Sequence, residues 1–62
     1  MEDWEDKVGR LWRVVRAGHG FQLTCDDKTA AWSDGRSIQT FEGSVGITNL
    51  FRLLAVARED LE

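Results

Sequence analysis

The stretch Asp3-Trp4-Glu5-Asp6-Lys7-Val8-Gly9-Arg10-Leu11-Trp12-Arg13-Val14-Val15-Arg16-Ala17 decides how the rest of the chain is read. Trp4, Val8, Leu11, Trp12 and Val15 stand at i, i+4, i+7, i+8 and i+11, one stripe of a helix about 100° wide. Asp3 is in place to cap the N-terminus, and Glu5 and Asp6 sit in the first turn, where acids favour the helix dipole. Lys7, Arg10, Arg13 and Arg16 follow toward the other end, and Gly18 is suited to end a helix. Asp3–Lys7 and Asp6–Arg10 are acid-before-base pairs four apart. The spacing predicts an amphipathic helix over residues 3–17.

Beyond it, Phe21-Gln22-Leu23-Thr24-Cys25 alternates apolar and polar, a strand with Phe21, Leu23 and Cys25 facing inward. Asp26-Asp27-Lys28 reads as a turn and Thr29–Trp32 as a second strand. Asp34-Gly35 signals a hairpin leading to a third strand, Ser37–Phe41. Ile38 and Phe41 cannot share a face of a regular strand, so either a bulge intervenes or Phe41 points away. Hairpin register decides whether Trp32 lies with Ile38 or with Phe41, and the reading favours Trp32 inward. Glu42-Gly43-Ser44 forms a break with Ser44 as a cap. A second helix over 46–60 carries Ile47, Leu50, Phe51, Leu54 and Leu61 on its core stripe, with Leu53 and Val56 off it. The expected fold is α+β: a three-stranded antiparallel meander with an N-terminal and a C-terminal helix (α-β-β-β-α) on one sheet face, in a single domain over 1–62.

At 62 residues the chain is near the lower limit for a core without staples, where net stability is roughly 3–5 kcal/mol. One cysteine allows no internal disulfide, and one cysteine with one histidine cannot make a structural zinc site. Three Trp and three Phe provide packing instead. The longest apolar run, Leu53–Ala57, is far short of the ~20 residues that span a membrane. The acidic start is unlike a signal or transit peptide. A cytoplasmic location is expected, with no membrane association.

No residue set reads as catalytic. Cys25 occupies an inward strand position followed by Asp26 and Asp27, which would raise a thiol pKa, so it reads as a small buried apolar residue. His19, between Gly18 and Gly20, reads as a solvated loop histidine. The aspartates do not have calcium-loop spacing. No enzyme activity, metal or other cofactor is expected.

The surface carries more information. Net charge is −3, from eleven acidic and eight basic residues. Glu2, Asp3, Glu5 and Asp6 cluster at the start, Asp26, Asp27 and Asp34 at the turns, and Glu59, Asp60 and Glu62 at the end. These acids point to a protein partner with a basic surface, and Leu53 and Val56 to an apolar partner or self-association surface. In being short, acidic and without motifs, the chain resembles the single-domain inhibitors that phages and mobile elements carry against host defence, including anti-CRISPR proteins. That resemblance implies a protein-binding inhibitor that blocks a nucleic-acid-binding surface of a host CRISPR-Cas-like complex, and the acidic charge balance argues against direct nucleic-acid binding. Two alternatives stand beside it: a small nucleic-acid-associated regulator using Arg10, Arg13, Arg16 and Arg36, and a homodimerising scaffold.

Overall fold

The computed structural model describes residues 2–41 and 45–61, and of Asp60 and Leu61 the backbone alone. It contains five strands and one helix: β1 (Glu2–Glu5), β2 (Leu11–Ala17), β3 (Gly20–Cys25), β4 (Lys28–Ser33), β5 (Ile38–Thr40) and α1 (Ile47–Leu61). The strands form one antiparallel sheet in sequence order, β1-β2-β3-β4-β5. The α+β class holds, but the three-stranded meander with two terminal helices does not. The expected strands are β3, β4 and β5. The expected N-terminal helix is instead a β-hairpin, β1–β2.

The hairpin follows from details that override the helical stripe. Gly9 lies in the middle of the stretch and takes φ +85°, a left-handed conformation unsuited to other residues. The Gly9 N–H bonds the Asp6 carbonyl at 3.1 Å, and the Asp6 N–H bonds the Arg10 carbonyl at 3.0 Å, closing a tight turn. β2 then alternates, burying Trp12 and Val14 while Leu11 and Arg13 are exposed on the other face. The helical stripe includes Val8 and leaves Val14 off it. The reverse holds, with Val8 76% exposed and Val14 fully buried. The Asp6–Arg10 ion pair does form, at 2.8 Å, across the turn.

Two shorter turns complete the meander. Gly18 at φ +62° opens the two-residue β2–β3 connection. Asp26 and Asp27, at φ 48° and 69°, make the β3–β4 turn, aspartate being one of the few residues that tolerate this region. Asp34-Gly35 is part of a longer connection, residues 34–37.

Register separates the two faces. Trp4, Trp12, Val14, Phe21, Leu23, Cys25, Ala31, Ser33 and Ile38 pair along one face, which the helix covers. A bulge at Ala30 in β4 lets both Ala30 and Ala31 be fully buried, two small side chains beneath the helix. Among the described residues one helix covers this face, rather than two. Among the described residues, no element covers the other face, with Asp3, Glu5, Arg13, Val15, Gln22, Thr29, Trp32 and Gln39. Trp32 therefore faces away from the core, opposite Gln39. Phe41 shares that side and Ile38 does not, so no bulge is needed in β5.

The helix is rotated from its expected setting. Leu53 and Ala57 are buried, with Leu50 and Val56 packed against the core, while Ile47 and Phe51 are 68% and 62% exposed. Arg58 accounts for this. Ile47, Phe51, Leu54 and Arg58 lie on one helical stripe, so burying that stripe would bury a charge. In the observed setting Arg58 Nε donates to the Gly35 carbonyl at 3.4 Å, and Arg52 lies over the Trp4 ring at 4.4 Å. Trp4 in turn stacks on Trp12, 6.5 Å between centroids. Leu53 is thus core, contributing about 1.5–3 kcal/mol by burial. The Ser44 cap and the inward side chain of Leu61 lie outside the described residues.

Candidate functional site

The open face has an aromatic centre. In β4, Trp32 stands between Gln22 of β3 and Gln39 of β5 as directly paired neighbours. Its indole Nε1–H donates to the Ala17 carbonyl at 3.0 Å, which satisfies the polar edge and fixes the ring. The absence of a side chain at Gly20 makes room, since a Cβ there would lie 2.5 Å from Trp32 Cζ2. His19 packs its ring edgewise at 4.9 Å. His19, Gln22, Thr29, Trp32, Gln39 and Phe41 line a broad recess of about 580 Å³. Phe41 is 60% exposed at its margin. The recess residues carry no carboxylate, lysine or arginine.

The acidic residues divide between structural and surface positions. Asp6 accepts from the Trp12 indole N–H at 2.8 Å, from the backbone N–H groups of Val8 and Arg10, and from the Arg10 side chain. These donors, the indole first, hold its carboxyl well below the usual carboxylate range. The backbone N–H groups of Ser37 and then Arg36 lower Asp34 in the same direction. Asp26 Oδ1 accepts from the Leu11 N–H at 2.9 Å and ties the β3–β4 turn to the start of β2. Asp6, Asp26 and Asp34 thus shape turns. Glu2 lies 3.7 Å from Arg52. Asp3, Glu5 and Asp27 are exposed, and register sets Asp3 and Glu5 on the open-face side of β1. The turns bearing Asp26-Asp27 and Asp34 lie at opposite ends of the sheet.

The arginines are dispersed. Arg10 and Arg16 lie on the helix side, over Trp12 at 5.5 Å and Phe21 at 5.0 Å. Arg13 is on the open face beside Asp3 and Glu2 in a shallow recess, and Arg36 is in the β4–β5 turn. No face gathers them all.

Cys25 is half-buried at the end of β3 and lines a recess of about 250 Å³ with Arg10, Trp12, Lys28 and Val45. His19 is six residues back along an extended strand, roughly 20 Å at about 3.3 Å per residue. The two are far outside hydrogen-bond reach. Among the described residues no group of three or more His, Cys, Asp or Glu side chains could hold a metal ion. Nor is any described helix long and apolar enough to cross a membrane. Of the residues read from sequence as a partner surface, Leu53 is buried and Val56 packs against the core, so neither forms an exposed patch. The recess around Trp32 was missed because its neighbours come together only through strand pairing. Comparison with family models, curated proteins and solved structures finds no match.

Proposed function

We propose that the chain is a protein-binding module whose open sheet face docks a partner, with Trp32 and Phe41 as the aromatic contact. One observation carries the reading: Trp32 is fixed by a hydrogen bond and a tight glycine contact on a face that no other described element covers. Aromatic side chains held in place before binding lose little entropy on contact and dominate many interfaces. Gln22, Gln39 and Thr29 supply adaptable hydrogen bonds around them. Asp3 and Glu5 add an acidic margin, which fits a partner with basic groups beside an apolar spot. An inhibitor that occupies a basic, nucleic-acid-binding surface of a host complex is the specific form this proposal takes. Binding, not catalysis, is the role it assigns.

The test is affinity capture from extracts of the source organism, with wild type compared with Phe41→Asp, Asp3→Lys and the helix-face control Phe51→Asp. The proposal expects proteins retained by wild type and Phe51→Asp, lost with Phe41→Asp and weakened with Asp3→Lys. Retention of the same proteins by all four chains would sink it.

A further inference from the structure

The sheet has two free edges of different chemistry. Three of the four β1 residues are charged: Glu2, Asp3 and Glu5. Charge on an edge discourages pairing with another strand. β5, Ile38-Gln39-Thr40, is uncharged and exposed, as are its neighbours Ser37 and Phe41. Among the described residues no strand lies beyond it.

The backbone at this edge is oriented for pairing. The Phe41 N–H bonds inward to the Ala30 carbonyl at 2.8 Å, so by strand alternation Gln39 also faces β4. The N–H and C=O groups of Ile38 and Thr40 then point outward, along the open edge. The geometry points to a second copy of this chain as their occupant, joined by antiparallel β5–β5 pairing about a two-fold axis through Gln39. In this register Ile38 exchanges two N–H···O bonds with Thr40 of the second copy, and the symmetry repeats them. Gln39 meets its own counterpart in a non-hydrogen-bonded pair, with Cα atoms about 4.5 Å apart. Ile38 gains a neighbour on the helix side, and Phe41 gains one on the open side.

A second copy fits this edge because residues 37–41 of both copies are uncharged, so the pairing brings no like charges together. The acidic edge lies four strand spacings away, roughly 19 Å at about 4.8 Å each. That exceeds the Debye length of about 8 Å at physiological salt, so the charge on that edge does not oppose the contact. A three-residue strand buries less than the ~1,200 Å² of a standard interface, so the dimer is weak and reversible. It makes a ten-stranded sheet with a continuous open face and two Trp32 sites. The proposal goes beyond docking on that face and is read on the purified chain alone, so the two fail separately.

Sedimentation of wild type, Gln39→Lys, Gln39→Glu and an equimolar mixture of the two variants tests it, up to about millimolar concentration. Gln39 is exposed, and near-UV circular dichroism confirms that each variant keeps the fold. Wild type is expected to gain mass with concentration. Each variant alone should associate about fivefold more weakly or worse, since like charges meet at the axis, and the mixture should recover. Thr40→Pro, which removes an outward N–H while leaving the β4–β5 bonds, should be monomeric. Wild type that stays monomeric throughout, or single variants that associate like wild type, would overturn the proposal.

Discussion

Residues 3–17 and residues 47–61 carry apolar side chains at similar three- and four-residue intervals, yet the first is mostly a β-hairpin and the second a helix. The difference lies in what interrupts the spacing. In the first, Gly9 and the Asp6 carboxylate build a turn, and β-branched Val14 and Val15 follow Trp12 in an alternating run. In the second, Leu50, Leu53, Leu54, Ala55 and Ala57 are good helix formers with no glycine among them. Matching apolar intervals do not make matching structures when one segment contains a residue that needs positive φ.

The sharpest way to break this comparison is inside the helix. Leu53→Ala should cost about 2–5 kcal/mol, most of the stability expected of so small a chain. Phe51→Ala, two residues earlier on the exposed side, should stay within about 0.5 kcal/mol. Denaturant melts followed by circular dichroism compare the two, and a larger loss with Phe51→Ala would mean the helix is seated on its other stripe.

In the hairpin, Gly9→Ala distinguishes the two structures by sign. A helix interior would gain roughly 0.5–1 kcal/mol from alanine. At φ +85° the chain should instead lose about 1 kcal/mol. A raised melting temperature would contradict the turn.

The smallest effect concerns Asp6. Its carboxyl is held below the usual range in the folded chain, so the unfolded chain binds the proton more readily. The stabilisation is therefore fully present above the unfolded pKa of about 3.9 and is lost as pH falls below it. Asp6→Asn should lower the melting temperature at neutral pH and flatten its fall between about pH 4 and pH 2. Asp34, lowered in the same direction, leaves some slope in the variant. An unchanged profile would separate Asp6 from the turn.

Several of these features were legible in the residues. The strands over 21–25 and 29–32 are marked by alternation and bounded by turn residues, and the C-terminal helix by its long apolar period. Gly9 and Arg58 were also legible. A glycine in the middle of an apolar period and an arginine on a core stripe each contradict the simplest pattern, and each marks where that pattern fails. The open-face recess was not legible, because Gln22, Trp32, Gln39 and Phe41 become neighbours only once the register is set.

By itself, then, the sequence determined which segments are apolar enough to form a core, where the chain turns between β2 and β5, and that one long helix ends it. Those are local properties, set by φ preferences and side-chain period. Tertiary structure decided that residues 3–17 pair as strands, that Leu53 rather than Phe51 is buried, and that Trp32 faces out. Each of those choices depends on which distant surface a segment meets. A strand face or a helix stripe is buried only in relation to its partner, and periodicity along one chain cannot name that partner.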